Sequence, residues 1–218
     1  MKKTFALFGL GHFGSTMLQE LNEMNVEVLA VDKDEMKVIK HRDLSTHAVC
    51  LQSLDEQSLR QIGVNNVDHA FISFGEDVQG SILTAFLLKD MGIPKIWVKA
   101  HNEYHAKVLE KIGVDRVIQP EREMAIRVAR NIVSNSMVDY IELAHDYSIA
   151  EILVGKKFGG CKLKDLRMAK RFDCHIVGIQ REHTFIVSPS EQEPIQMNDI
   201  LIVVGKKRDI IRFEKEGA

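Results

Sequence analysis

The chain has 218 residues, of which 45% are hydrophobic and 28% are charged. This balance is typical of a folded globular protein, and the length favours two domains over one. The formal net charge of −2 gives no indication of the clustered excess of Lys and Arg that general nucleic-acid binding requires, so we expect no nucleic-acid partner. The longest apolar stretches, such as 200–204, are about a quarter of the roughly 20 residues that a membrane-spanning helix needs.

The cysteines indicate the compartment. Cys50, Cys161 and Cys174 are odd in number and far apart, with no Cys-x-x-Cys pair. This spacing offers neither a disulfide framework nor a thiolate zinc site, which favours a reducing environment. The charged start of the chain has the look of a signal peptide, but glycines interrupt the apolar run after it almost at once. We therefore expect a cytoplasmic protein whose first segment is a β-strand.

From residue 5 to about residue 119, short apolar runs alternate with amphipathic stretches. Strands are predicted over 5–10, 26–31, 47–51, 69–73, 95–100 and 116–118, and helices near 13–24, 34–43, 55–62, 78–91 and 102–112. Gly63, Gly92 and Gly113 follow three of these helices, where left-handed caps are expected. Parallel strands are buried on both faces and need helices as cover. The pattern therefore predicts an α/β fold with a Rossmann-like, doubly wound parallel sheet.

The alternation of short apolar runs with amphipathic stretches ends after residue 119. A linker helix is predicted over 121–136, with Pro120 before it and the break Ser134-Asn135-Ser136 at its end. Beyond it, strands are predicted over 148–154, 175–180, 184–188 and 199–205, and helices over 163–171 and 208–215. We expect a first domain at 1–136, which includes the linker helix, and a small α+β domain at 137–218.

A glycine-rich turn stands between the first predicted strand and helix: Gly9-Leu10-Gly11-His12-Phe13-Gly14. Its first glycine permits a tight turn, the second lets the backbone approach phosphates, and the third lets the helix pack on the strand. The helix N-terminus offers unpaired N–H groups to an anion. Asp32 follows Gly14 by 18 residues, at the end of the second strand, where it can accept hydrogen bonds from ribose hydroxyls. The pattern predicts a nucleotide site; a glycine turn used only for packing is the alternative.

Dehydrogenases share this fingerprint, but hydride transfer also needs a domain that orients and polarises a substrate. The second domain offers His145, His175 and His183, without a Ser/His/Asp arrangement or paired carboxylates. His101 and His105, spaced i,i+4, could bind a metal, although they lack the intervening Glu of a zinc helix. We therefore expect a protein that is not an enzyme. An NAD(H)-binding oxidoreductase or redox-sensing regulator is the alternative.

Four segments carry a resemblance to a known family: FALFGLG at 5–11, VLAVD at 28–32, NEYHAKVLEKIG at 102–113 and QPEREMA at 119–125. Through them the chain resembles, over essentially its whole length, the RCK (KTN, TrkA-type) regulatory subunits of bacterial Ktr potassium transporters, the KtrA/KtrC family. The resemblance implies an RCK-N domain that binds ATP or ADP, followed by a small α+β RCK-C (TrkA-C) domain. It also implies a ring of eight subunits on the inner face of a potassium-translocating membrane subunit of the KtrB/KtrD type, active with ATP and inactive with ADP.

The family's nucleotide contacts map onto the glycine turn and the loops that follow the other strands. The resulting set is Gly9, Gly11, His12, Phe13, Gly14, Asp32, Lys33, Asp34, Gln52, Ser53, Phe74, Gly75, Glu76, Lys99, Ala100, His101, His105 and Glu121. By the same resemblance, Lys99 neutralises phosphate charge, and Glu121 meets a divalent cation such as Mg²⁺ at the terminal phosphates.

His12 departs from the family pattern, because relatives usually carry an arginine there that reaches the terminal phosphate. Histidine is shorter and loses the bidentate contact of a guanidinium group. Discrimination between ATP and ADP is therefore an open point. In the alternative interpretation, His12 covers the helix start while Lys99 and a metal ion balance the phosphate charge.

In several members of the family, the RCK-C domain binds cyclic di-AMP at its dimer interface. The corresponding cleft maps onto Leu163, Asp165, Arg167, Met168, His175, Ile176 and Pro189. The planar fork of Arg167 is suited to a phosphate. Leu163 and Ile176 also have the spacing of ordinary core residues, so a packing role is the alternative for them.

Overall fold

A computed structural model of the chain describes residues 3–133, 136–144 and 146–217. The chain divides into two compact units, Met1–Pro120 and Glu121–Ala218. The sequence-based boundary after residue 136 assigns the linker helix to the first domain, whereas this division assigns it to the second unit. None of the described helices is both long enough and apolar enough to cross a membrane.

The first unit contains a sheet of six parallel strands in the order β3-β2-β1-β4-β5-β6. The strands are β1 (Thr4–Phe8), β2 (Glu27–Asp32), β3 (His47–Cys50), β4 (His69–Ile72), β5 (Lys95–Lys99) and β6 (Arg116–Ile118). The order reverses between β1 and β4, and a ligand crevice forms at the carboxyl ends of strands at such a switch point. The predicted doubly wound sheet is confirmed.

Five α-helices connect these strands: α1 (His12–Glu23), α2 (Glu35–His41), α3 (Glu56–Gln61), α4 (Val78–Asp90) and α5 (Glu103–Ile112). Gly63, Gly92 and Gly113 have φ angles of 82°, 78° and 84°, so all three adopt the left-handed conformation that the sequence predicted. This conformation is open to glycine without steric strain, which is why each helix ends where it does.

The core of the first unit lies on both faces of the sheet. Leu59 of α3, Leu88 of α4 and Leu109 of α5 are fully buried against one face. Leu18 of α1 and Val38 of α2 are buried against the other face. Because helices cover both faces, polar groups that bind a ligand are confined to the edges of the sheet.

The second unit contains a five-stranded antiparallel sheet in the order β10-β9-β11-β8-β7. Its strands are β7 (Met137–Ala144), β8 (Tyr147–Leu153), β9 (Cys174–Arg181), β10 (Thr184–Val187) and β11 (Ile200–Lys206). Its helices are α6 (Pro120–Val133), α7 (Leu163–Leu166), α8 (Met168–Phe172) and α9 (Lys207–Gly217). The predicted small α+β domain is confirmed.

Strand β7 was not predicted from the sequence. Val138, Ile141 and Leu143 are exposed, whereas Met137 and Tyr140 are buried. Apolar residues therefore occupy both faces of this strand, and the alternation that identifies a half-buried strand is obscured.

The predicted helix over 163–171 is interrupted. Arg167 has a φ of 48°, a left-handed conformation that ends α7 and precedes α8. A non-glycine residue adopts this conformation at a steric cost, so arginine is not a residue that signals it. The helical pattern of the sequence therefore does not reveal the break. Helix α6 is described to Val133, and the predicted end of the linker helix at positions 134 and 135 lies outside the described residues.

A buried ion pair holds the loop before β11 in the second unit. Asp199 is only 1% exposed, and its carboxylate accepts hydrogen bonds from Arg181 Nε at 3.0 Å and Arg181 Nη2 at 2.9 Å. The same guanidinium contacts Glu193 at 3.2 Å and donates to the Pro194 carbonyl at 2.8 Å. The hydrogen bond with Asp199 raises the pKa of Arg181. The loop is thereby tied to β9.

Arg181→Met should destabilise the protein, because it leaves the buried Asp199 carboxylate without its counter-charge. We expect the free energy of unfolding to fall by about 2–4 kcal/mol, measured by urea denaturation of the full chain. Arg60→Met is the matched control, since it breaks the exposed Arg60–Glu56 pair and should change stability by less than about 0.5 kcal/mol. Equal effects of the two substitutions would contradict the structural role of Arg181.

Candidate functional site

The glycine turn lies at the carboxyl edge of the sheet, between β1 and α1. Gly9 has a φ of 93°, and a Cβ added to it would lie 2.3 Å from the Ser73 carbonyl oxygen. A Cβ on Gly14 would lie 1.9 Å from the Gly9 carbonyl oxygen. A Cβ on Gly11, by contrast, would meet no atom within 4 Å. Gly9 and Gly14 thus permit close backbone packing, and Gly11 faces open space at the start of α1.

The N-terminus of α1 differs from the other helix starts of the first unit. Helices α2, α3, α4 and α5 are each capped by a side chain that accepts a backbone N–H: Asp34, Asp55, Asp77 and Asn102. At α1 the capping position is Gly11, which has no side-chain oxygen, and the first turn contains no acidic residue. The first N–H groups of a helix have no partner within it, and they carry partial positive charge. This turn can therefore bind an anion.

Asp32 is the acidic group next to this turn. It is 7% exposed, and its two oxygens accept hydrogen bonds from the backbone N–H groups of Leu10 at 2.6 Å and Asp34 at 2.9 Å. An ionised carboxylate can accept about four hydrogen bonds, so each oxygen keeps one lone pair for a ligand. The two backbone donors fix the orientation of the carboxylate toward hydroxyl donors.

The loops after β2 and β3 meet at the same edge. Gln52 Nε2 donates to the carbonyl oxygen of Lys33 at 2.7 Å. Ser53 Oγ donates to Asp55 at 2.9 Å, and hydrogen bonds from Ser58 and then Ser53 lower the pKa of Asp55. Both predicted contact residues, Gln52 and Ser53, are exposed beside Lys33.

The loop after β4 borders the other side of the glycine turn. Phe74 lies against Gly9, and its Cδ1 would be 3.1 Å from a Cβ at that position. Gly75 has a φ of 64° and is exposed, as is Glu76. These three predicted site residues therefore flank the turn, and Asp77, which follows them, caps α4.

Lys99 brings a positive charge to the start of α1. Its Nζ lies 5.5 Å from the centre of the Phe13 ring, and Phe13 stacks on Phe71 with ring centres 5.7 Å apart. His12 is exposed and is the first residue of the same helix. Lys99, Phe13 and His12, predicted separately, are thus brought together at one helix start.

His105 has a structural contact at this edge. It is 2% exposed, and its Nδ1 accepts the backbone N–H of His101 at 3.1 Å. Burial, followed by the nearby His101, lowers the pKa of His105. Because Nδ1 is the acceptor, the neutral ring carries its proton on Nε2, which has no hydrogen-bond partner among the described residues. Ala100 is also buried, and His101 is exposed.

Among the described residues, no third metal ligand accompanies His101 and His105. Within the described residues there is no group of three or more His, Cys, Asp or Glu side chains that could hold a metal ion. Glu121, the predicted Mg²⁺ contact, lies in the first turn of α6 and belongs to the second unit. Its role at the nucleotide site stays a prediction.

The residues predicted to bind cyclic di-AMP lie on α7, α8, β9 and the end of β10. Leu163 and Ile176 are partly buried against the core of the second unit. Asp165 accepts the backbone N–H of Lys162 at 3.0 Å. The packing alternative therefore applies to Leu163 and Ile176, while Asp165 also closes the start of α7.

Of the remaining members of this set, two lie at the break between α7 and α8, and two lie on or beside β9. Arg167 is exposed at the break, and Met168, the next residue, is buried. His175 is exposed on β9. Ser188 donates its backbone N–H to the Val177 carbonyl at 3.0 Å, which holds the adjoining Pro189 beside β9.

Comparisons with known proteins agree with this architecture. Residues 5–120 match the family model of the TrkA-N domain, and residues 148–216 match that of the TrkA-C domain. The chain is 47% identical over 215 residues to the Ktr system potassium uptake protein C of Bacillus subtilis, covering 99% of this chain and 97% of that protein. The chain belongs to the TrkA-type family of potassium uptake proteins. The predicted family is confirmed.

A further relative supports the assignment, and a solved structure shares the fold. The Ktr system potassium uptake protein A of Bacillus subtilis is 41% identical over 215 residues, with 99% of this chain and 97% of that protein covered. The crystal structure of the GsuK RCK domain has a TM-score of 0.68 and 15% identity. It covers 99% of this TrkA-type chain, which spans 47% of the GsuK chain, and at this identity it shows the fold alone.

Gly14→Ala should destabilise the protein, because its methyl group would force the Gly9 carbonyl out of position. We expect a loss of about 1–3 kcal/mol, even though alanine favours a helix by about 1 kcal/mol over glycine. Gly11→Ala is the control, since nothing lies near the added methyl group, and should cost less than about 1 kcal/mol. Urea denaturation measures both. If the two variants are equally stable, the close packing at Gly14 is wrong.

Proposed function

We propose that this protein is a regulatory subunit that binds ATP or ADP on its first unit and controls a Ktr-type potassium uptake system. The main support for the proposal is the start of α1 at Gly11, where no side chain accepts the first backbone N–H groups. The Asp32 carboxylate is oriented beside this helix start. Family membership supports the biological role, because relatives along nearly the whole chain are named as Ktr system potassium uptake proteins.

The geometry suits each part of an adenine nucleotide. The N–H groups at the start of α1 would bind the phosphates, and Lys99 would add positive charge beside them. Asp32 would accept the ribose hydroxyls. Gln52 and Ser53, at the end of β3, would border the base. His12 would meet the outermost phosphate more weakly than an arginine, so discrimination between ATP and ADP would rest on Lys99 and a bound Mg²⁺ held in part by Glu121.

The second candidate is an NAD(H)-binding oxidoreductase or redox-sensing regulator. Asp32 is as compatible with NAD(H) as with ATP or ADP, because the ribose of NAD(H) offers the same hydroxyl groups. The comparison of ATP, ADP and NAD(H) as ligands therefore separates the two candidates.

Self-association would convert nucleotide binding into gating. An exposed apolar groove of about 690 Å³ lies between α4 and α5, lined by residues that include Leu83, Phe86 and Val108. Exposed apolar patches of this kind mark protein interfaces, and a second copy of the chain would cover this one in the proposed octameric ring. A nucleotide that binds one ring conformation more tightly would shift the population toward it. The KtrB/KtrD-type membrane subunit would transmit the change to the ion pathway.

Thermal unfolding with each nucleotide tests the first step. A ligand at about 100 times its dissociation constant should stabilise the protein by roughly 2.7 kcal/mol. We expect this stabilisation from ATP and ADP and little from NAD(H). In Gly11→Ala the added methyl group occupies the space next to the phosphate-binding N–H groups, so the stabilisation should be lost although the fold is kept. A response to NAD(H) alone would replace this proposal with the second candidate.

Cyclic di-AMP is the proposed ligand of the second unit. The left-handed conformation of Arg167 supports this, because strained residues concentrate at ligand sites. Arg167 lies between α7 and α8, where its side chain is exposed. Leu163 and Lys164 of α7 donate backbone N–H groups to the carbonyls of Glu193 and Glu191. These carbonyls belong to the loop that the Arg181–Asp199 pair holds.

Arg167→Gly should weaken binding of cyclic di-AMP without harming the fold, since glycine adopts the left-handed conformation freely. Loss of a charge-assisted hydrogen bond predicts an affinity lower by about tenfold to hundredfold in calorimetric titration. Binding of ATP and the unfolding temperature serve as controls and should not decrease. Unchanged affinity for cyclic di-AMP would remove Arg167 from the site.

A further inference from the structure

An exposed ion pair crosses the carboxyl edge of the first unit. Lys33 Nζ lies 3.4 Å from Asp77 Oδ2, and the two side chains are 72% and 43% exposed. Lys33 directly follows β2, and Asp77 stands between β4 and α4. Strands β2 and β4 are the two neighbours of β1 in the sheet. The pair therefore links the loops on either side of the glycine turn that leaves β1.

The two ends of this link are held differently. Asp77 Oδ1 accepts the backbone N–H of Gly80 at 2.9 Å, so α4 fixes the carboxylate. The Lys33 backbone is held through its carbonyl, which accepts a hydrogen bond from Gln52. The long lysine side chain spans the distance between strands β2 and β4, which is about 9–10 Å for two strand spacings. Only the lysine side chain has to move for the link to open.

We propose that the Lys33–Asp77 pair is a clasp across the nucleotide cleft and that it sets the rate of nucleotide exchange. The inference rests on the proposed binding of an adenine nucleotide at the glycine turn. A nucleotide that lies over this turn passes the lysine side chain when it enters and when it leaves. The clasp therefore slows association and dissociation together and changes the dissociation constant little.

The strength of the clasp is suited to a kinetic role. An ion pair this exposed shifts an equilibrium by at most about fivefold, and dissolved salt screens it. The pair opens readily, so it does not block the site. The nucleotide passes only during the fraction of time that the pair is open. This fraction rises with ionic strength, because salt screens the two charges.

Asp77→Asn separates the clasp from the helix cap. Asparagine keeps the oxygen that accepts the Gly80 N–H and is as good a capping residue as aspartate, but it lacks the charge that holds Lys33. Stopped-flow mixing with a fluorescent ADP analogue measures both rate constants. We expect each to rise by about two- to fivefold, with the dissociation constant changed by less than about twofold. High salt should raise the rates of the wild-type protein toward those of Asp77→Asn.

Glu142→Gln is the matched control, because it removes one exposed carboxylate that pairs with Lys207 at 3.8 Å in the second unit. Its rate constants should equal those of the wild-type protein. Unchanged rates in Asp77→Asn would overturn the clasp. Faster association with slower dissociation would also overturn it, since that is the effect of removing a negative charge near phosphates. If the wild-type protein binds no adenine nucleotide by thermal unfolding, the proposed function itself fails, which is a distinct result.

Discussion

The close approach of three backbone segments at the end of β1 is the constraint on which the first unit depends. Gly9 donates its N–H to the Val31 carbonyl at 2.8 Å, and Ser73 donates to the Phe8 carbonyl at 2.7 Å. Leu10 then donates to Asp32. Strands β2, β1 and β4 are thereby locked together where the chain turns into α1, and a Cβ at Gly9 would not fit. The orientation of α1, and with it the anion-binding N–H groups, follows from this lock.

The contrast between capped and uncapped helices is a separate feature of the same edge of the sheet. Asp and Asn caps each accept one or two of the first N–H groups of α2 to α5, which stabilises those helices without a ligand. At α1 the capping position is Gly11, which has open space around it and provides no capping oxygen. The proposed nucleotide would supply the missing acceptor at this helix start, and the stability of α1 would then depend on ligand occupancy. Under this proposal, binding and folding are coupled at α1 more than at the other helices of the first unit.

The sequence predicted the parts of the fold that depend on local patterning. The six parallel strands and the caps at Gly63 and Gly113 follow from apolar runs and glycine positions. Strand β7 was missed because its exposed apolar residues break the alternation, and the break at Arg167 was missed because an arginine gives no local signal of a left-handed conformation. In the site, glycine spacing and Asp32 could be found from the motif. Asp77 could not, because its partner Lys33 is distant in sequence and close only after β2 and β4 align.

The Arg181–Asp199 and Lys33–Asp77 ion pairs differ in burial, and the difference affects how firmly each is held. Arg181 and Asp199 form a bidentate pair whose carboxylate is buried, so separating them leaves a buried negative charge without its partner. Lys33 and Asp77 meet in solvent, where water replaces the contact at little cost. The proposed exchange of nucleotides would require a cleft that opens, and an exposed ion pair is suited to that requirement. Burial of the Asp199 carboxylate and exposure of the Lys33–Asp77 pair thus give the two contacts different strengths within one chain.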